Sequence, residues 1–208
     1  MPLETEQERF WAGEFGDAYS QRNRGANLIA ARTALWSRIL SRCEPVHSVT
    51  ELGANIGLNL VALSRLLPDA ALHGIEVNAS AAAELRRNVP SATVVEGSFL
   101  DHPVGDPTDL AFTCGVLIHV APSALPTAYA RLAQLGRRYV VLSEYYDPRP
   151  VSVPYRGHAD RLFKRDFAGE FLDAHPAFRL ADYGFVYHRD PQFPADDFTW
   201  FVLERRHP

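Results

Sequence analysis

Two glutamates flank a glycine turn in this chain, and their placement is that of a nucleoside site. Glu51 opens the run Glu51-Leu-Gly-Ala-Asn-Ile-Gly57, and Glu76 ends an apolar run 23 positions after Gly53. Glycines at such a turn let the backbone approach a ligand. An acid ending the next strand accepts hydrogen bonds from two ribose hydroxyls. A dinucleotide turn uses three glycines and receives a pyrophosphate at a helix N-terminus. Here Asn55 replaces the middle glycine, and the Glu51 carboxylate would repel pyrophosphate. The same carboxylate suits a ligand bearing an ammonium and a sulfonium.

A second concentration of chemistry lies between Glu144 and Arg165. Tyr145, Tyr146 and Tyr155 offer flat faces and phenol hydroxyls that suit a polyhydroxylated molecule. Arg149, Arg156, His158, Arg161, Lys164 and Arg165 gather positive charge on a chain whose net charge is -4. Basic groups converging on a pocket recognise phosphate or carboxylate. The competing reading is a solvated loop whose arginines pair with Asp147, Asp160 and Asp166. Lys164 is the single lysine among 21 basic residues, which marks it either as a required compact ammonium or as a chance survivor.

The elements that must position these residues follow from apolar periodicity. Residues 5–23 read as a helical segment with Phe10, Trp11, Phe15 and Tyr19. A second helix at about 27–43 carries Leu28, Ile29, Leu35, Trp36, Ile39 and Leu40 at helical period. A strand then runs to Leu52, a helix to Leu67 and a strand over 71–77. A helix over 79–88 follows, then strands over 92–96 and 109–115, a helix near 123–135 and a strand near 138–145. Alternation of this kind predicts a parallel sheet with helices on both faces. The runs 178–188 and 198–205 have no helix between them, so they should pair antiparallel. The stretch 146–162 reads as an irregular loop long enough to be functional.

Composition suits one globular α/β domain, with 47% hydrophobic and 22% charged residues in 208. Within 1–208 we distinguish an N-terminal helical lid (1–45), a Rossmann-like core (46–208) and an acceptor loop at about 146–165. The charge gives no electrostatic case for nucleic acid or an anionic membrane as partner. No apolar run approaches a membrane span, and the acidic start is unlike a signal peptide. Cys43 and Cys114 lack metal or disulfide spacing, so a cytoplasmic protein without a metal site is expected.

The pattern E-x-G-x-x-x-G with a later strand-end Glu resembles the S-adenosylmethionine site of class I methyltransferases. Further motifs stand in order beside it: Phe10-Trp-Ala-Gly-Glu-Phe-Gly16, Gly115-Val-Leu-Ile-His119, Glu144-Tyr-Tyr146, Pro154-Tyr-Arg-Gly-His158, Leu162-Phe-Lys-Arg-Asp-Phe167, Asp182-Tyr-Gly-Phe-Val-Tyr-His188 and Thr199-Trp-Phe201. Together they resemble the pseudaminic acid biosynthesis-associated methylases, small class I S-adenosylmethionine-dependent enzymes, over about 5–205. The resemblance implies a mostly parallel seven-stranded sheet with helices on both faces and a C-terminal antiparallel hairpin. It also implies methyl transfer to a small, anionic, polar acceptor: a nonulosonic acid, its nucleotide-activated form or an amino-sugar precursor. An amino acid or phosphonate-like metabolite is the alternative acceptor, and a non-catalytic nucleoside-binding regulator is the alternative class.

On that resemblance Gly53, Asn55 and Gly57 run along the methionine and ribose, Glu51 lies nearby, Glu76 holds the ribose, and Asn78 follows it. Ser98 and Phe99 take the place of adenine contacts, and Cys114 and Gly115 end the fourth strand. Trp11, Tyr19, Arg22 and Asn23 form a lid, with Arg22 suited to the α-carboxylate. The acceptor contacts expected are Tyr145, Tyr146, Tyr155, Arg156, Lys164 and Arg165. A hydroxyl acceptor also needs a base, for which His119 stands first and His158 and Glu144 remain candidates.

Overall fold

The computed structural model describes residues 5–22, 25–101 and 105–206. Seven strands form one sheet: β1 (Ser48–Leu52), β2 (Ala71–Glu76), β3 (Thr93–Glu96), β4 (Thr108–Cys114), β5 (Gly136–Glu144), β8 (Phe178–Phe185) and β9 (Thr199–Arg205). Their order is β3-β2-β1-β4-β5-β9-β8. The first five are parallel, and β9 runs antiparallel to both β5 and β8. The order reverses between β1 and β4, and open α/β sheets bind ligands at such a switch point, beyond the carboxyl ends of the strands.

Alternating strand residues feed two cores, as the period of two requires. On one face Val49, Leu110 and Val141 pack with Trp36, Leu60 and Leu85 of α3 (Ala26–Leu40), α4 (Leu58–Leu66) and α5 (Ala79–Asn88). On the other Leu52, Ala111 and Leu142 pack with Leu132 and Phe171 of α6 (Leu125–Leu135) and α7 (Phe167–Ala174).

The N-terminal segment is two helices rather than one. Thr5 and Glu8 form a reciprocal capping box on α1 (Glu6–Ala12), and extended backbone at Gly13 separates it from α2 (Glu14–Arg22). Gly16 of α2 is where the two helices meet, since a Cβ there would come 1.9 Å from the Trp11 carbonyl oxygen.

The stretch expected as an irregular loop is instead a β-hairpin, β6 (Val151–Tyr155) and β7 (His158–Lys164), paired antiparallel. Arg156 and Gly157 turn it, both at positive φ, which is the backbone that two-residue hairpin turns demand. Helix α7 was also not expected from the sequence. Asp166 caps it, accepting the Gly169 N–H at 2.8 Å, and Phe167 and Phe171 bury its face. Among the described residues no helix is long and apolar enough to cross a membrane.

Candidate functional site

The carboxyl ends of β1 to β4, covered by α1 and α2, enclose a cavity of about 870 Å³ including its open mouth. Gly53 and Asn55 after β1 line it, as do Glu76 and Asn78 after β2. So do Ser98 and Phe99 after β3, and Cys114, Gly115 and His119 after β4. Trp11 and Tyr19 close it from the N-terminal helices. Sequence reasoning thus named most of this wall, although the residues come from six separate segments.

Glu76 organises the wall. Its Oε2 accepts the Asn55 N–H at 2.6 Å and its Oε1 accepts the Asn78 N–H at 2.8 Å. Burial raises its pKa against these backbone donors. Asn55 holds a left-handed backbone (φ 49), and its side-chain oxygen accepts from Ser20 Oγ at 2.8 Å, tying the turn to α2. Gly53 is also left-handed (φ 71), and a Cβ there would come 2.7 Å from Val116. Asn78 caps α5 through its side-chain oxygen, while its amide reaches the carbonyls of Trp11 and Ala12 and the carboxylate of Asp17.

Gly57 lines no part of the cavity. It begins α4 in left-handed backbone, and a Cβ there would come 2.9 Å from Leu85, so turn geometry and packing account for it. Arg22 ends exposed on α2, its guanidinium over the Phe15 ring at 5.9 Å, away from the cavity. Asn23 lies outside the described residues. Ser98 donates its hydroxyl to Glu8 of α1, and that same glutamate completes the capping box.

A second cavity adjoins the first, and Tyr19, Gly53, Asn55 and Cys114 line both. Its other walls include Arg32 of α3, Glu51, and His188 and Asp196 of the β8–β9 connection. Glu51 is 1% exposed, and its Oε1 accepts from Asn59 Nδ2 at 2.7 Å while its Oε2 is buried without a partner among the described residues. Burial pushes its pKa up to about 8, so near neutral pH the carboxyl is largely protonated rather than the fixed anion expected from sequence. Arg32 was missed by sequence reasoning. It extends from a helix whose periodicity explains only its apolar face, and it donates to Cys114 Sγ at 3.2 Å beneath the Phe198 ring.

The three base candidates separate sharply. His119 Nδ1 lies 2.6 Å from the Arg161 carbonyl oxygen, so it carries the proton. The ring packs between Trp11 and Tyr155, and burial pushes its pKa down to about 4, which makes it a weak proton acceptor. Glu144 is buried beneath the turn after β4 and accepts the Val116 N–H at 3.0 Å; it lines neither cavity. Its pKa rises to about 7 through burial. His158 is exposed on β7 against Phe10 and Phe15 and also lines neither cavity.

The basic concentration does not converge on one pocket. Arg165 pairs with Glu170, Arg161 with Glu6, and Arg156 stands exposed at the hairpin tip. Lys164 lies over the Tyr145 ring at 5.5 Å. Tyr145 bonds Asp196 of the second cavity, and its pKa rises through burial and that charge. Tyr146 is an exposed ring bridged through its backbone to Arg165. Tyr155 reaches His119 and Trp11 with its ring.

No protein-family profile matches the sequence, nor does any curated protein. Solved structures do match the fold over nearly the whole chain. A 1,6-didemethyltoxoflavin N1-methyltransferase from Burkholderia thailandensis, solved with its substrate and S-adenosylhomocysteine, superposes with TM-score 0.69 at 17% identity, covering 100% of this chain and 93% of that one. Magnesium protoporphyrin IX methyltransferase from Synechocystis, with S-adenosylmethionine bound, gives 0.66 at 13% identity, covering 99% of this chain and 100% of that one. An amino pentose methyltransferase from Micromonospora echinaspora gives 0.65 at 13% identity, with 99% of each chain covered. The fold is that of the class I S-adenosylmethionine-dependent methyltransferases.

Proposed function

We propose that this chain is an S-adenosylmethionine-dependent methyltransferase acting on a small polar acceptor, and that the acceptor is a nonulosonic acid, its nucleotide-activated form or an amino-sugar precursor. Glu76 carries the cofactor reading. Its two oxygens each hold a backbone N–H at the cavity wall, and a carboxylate with about four lone-pair sites keeps capacity for a ribose diol.

The remaining residues fit the same ligand. Phe99 and Leu100 offer apolar wall for a purine, and Gly53 lines the cavity in a left-handed turn with Val116 packed where a Cβ would stand. Glu51, which lines the adjoining cavity and whose buried Oε2 has no partner among the described residues, suits the methionine ammonium. When bound, the cofactor supplies an electrophilic methyl on a sulfonium. The chain's part is to orient the acceptor and exclude water, and alignment of this kind contributes about 7–11 kcal/mol in well-oriented systems. The acceptor class is supported by the ordered aromatic motifs from Phe10 to Phe201 and by an amino-sugar methyltransferase among proteins of this fold.

Calorimetry with S-adenosylhomocysteine tests the cofactor, and mass spectrometry for a +14 product from unlabelled S-adenosylmethionine and cell extract tests transfer. Binding without any product would favour a regulatory module. Absence of binding would remove the reading altogether.

A further inference from the structure

The β8–β9 connection carries a pair of side chains that the cofactor site does not explain. The Asp197 carboxylate accepts both the backbone N–H and Nδ1 of His188, each at 2.9 Å. Because a carboxylate only accepts, Nδ1 carries a proton and Nε2 of the neutral ring keeps its lone pair. The connection is itself held in place. Asp190 accepts the Gln192 and Phe193 N–H groups, and Phe198 and Val186 close it against the sheet. His188 lines the second cavity, and both its side chain and that of Asp197 are about half exposed, at 56% and 47%.

The rest of that cavity is built for a polar guest. Arg32 brings a cation from α3 and Asp196 an anion from the β8–β9 connection. The four residues that the two cavities share place this chamber directly beside the cofactor cavity. His119 and Glu144, by contrast, are both buried and committed to backbone groups.

We propose that the part of the second cavity lined by Arg32, His188 and Asp196 receives the methyl acceptor, a hydroxy- or amino-bearing carboxylic acid whose anion meets Arg32, while the Glu51 side is left to the cofactor's ammonium, and that His188, oriented by Asp197, takes the acceptor's proton. This rests on the methyltransferase reading. The acceptor's lone pair bonds the methyl carbon, the S–CH3 electron pair returns to sulfur, and the acceptor's proton passes to His188 Nε2 and then to water. Asp197 is a positioning residue: it fixes the tautomer and stabilises the imidazolium that forms. The charged and aromatic groups around His188 are Asp197, the Tyr187 ring at 4.8 Å, and Arg32 and Asp196 of the same cavity lining, with Lys164 acting through Asp197.

The test has two arms. Nitrogen NMR of the neutral His188 ring in the free protein should show the Nδ1-protonated tautomer, and Asp197→Asn should weaken that tautomer preference. In the second arm, labelled S-adenosylmethionine and extract from the source cells report transfer by each variant. His188→Gln should lower transfer by about 10²–10⁴-fold and leave S-adenosylhomocysteine affinity within twofold. Asp197→Asn should shift the rising limb of the pH–rate profile, and added imidazole should partly restore a His188→Gly variant. A ring tautomer indifferent to Asp197, or His188→Gln turning over as the wild type does, would overturn the proposal. A wild type that binds S-adenosylhomocysteine but transfers nothing would overturn it while preserving the cofactor site. Loss of cofactor binding by the wild type would sink the broader reading instead.

Discussion

Asn55 and Glu76 meet through a 2.6 Å hydrogen bond from backbone N–H to carboxylate. That contact joins the turn after β1 to the end of β2. It depends on the left-handed backbone at Asn55, a conformation that asparagine tolerates better than most residues. Ser20 donates to the side chain of the same Asn55, so α2 is coupled to the turn that faces the cavity. Glu76 is thus positioned by the glycine turn, and the turn in its left-handed form is supported by α2.

Glu76→Ala should weaken S-adenosylhomocysteine binding by about 10- to 150-fold, since losing a charged acceptor costs about 1.5–3 kcal/mol. It also strands the N–H groups of Asn55 and Asn78, so a thermal melt must accompany the calorimetry. Glu76→Gln keeps one acceptor oxygen and should melt closer to the wild type while still binding weakly. Unchanged affinity in a folded variant would remove the cofactor argument.

The sequence carried the sheet and much of the cavity wall because both leave local marks. Strand periodicity, the Gly53 and Asn55 turn and the acid at Glu76 are each readable within a few residues. The missing helix between 186 and 198 likewise announced an antiparallel β8 and β9. What stayed illegible was mutual placement. Arg165 reads as a free cation until Glu170 is seen beside it, and Glu144 reads as exposed chemistry until the turn at Val116 covers it. The β6–β7 hairpin was hidden because Arg156 occupies a left-handed turn position normally signalled by asparagine or glycine.

That position yields a prediction independent of function. A non-glycine residue in left-handed backbone is strained by about 1–2 kcal/mol, less for asparagine. Arg156→Asn would create the Asn-Gly sequence that two-residue hairpin turns prefer. Because Arg156 is exposed and lines neither cavity, thermal stability should rise by on the order of 0.5–1 kcal/mol, with S-adenosylhomocysteine affinity unchanged. A fall in melting temperature would mean that the arginine contributes a contact outweighing the strain, such as its placement over the Tyr155 ring.

His119 should govern acid stability rather than proton transfer. Burial lowers its folded pKa to about 4 from an ordinary 6.5. As pH falls below 6.5 the unfolded chain takes up the proton first, so stability should decline between about pH 6.5 and 4. The loss is about 1.4 kcal/mol per pH unit at most, or roughly 3 kcal/mol in all. His119→Gln should flatten that part of the stability–pH curve in urea titrations. At pH 8 the same variant should keep more than a tenth of wild-type transfer. A drop of a hundredfold or more would restore His119 as the base.

Glu51 makes the opposite prediction on the alkaline side. Its folded pKa of about 8 exceeds the ordinary 4.5, chiefly through burial. Between those values the folded protein holds a proton that the unfolded chain has lost, so stability should decrease as pH rises through this window. Glu51→Gln imitates the protonated form and keeps an acceptor for Asn59 Nδ2. Its melting temperature should match the wild type near pH 5 and exceed it near pH 9. Ligand binding should read the same proton. If the methionine ammonium settles against the unpartnered Oε2, Glu51 must ionise, and binding at pH 7 should release up to one proton. Calorimetry of S-adenosylhomocysteine in buffers of different ionisation enthalpy measures that release, which Glu51→Gln should abolish. Equal proton release in wild type and variant would place the ammonium elsewhere and leave Glu51 a purely structural acid.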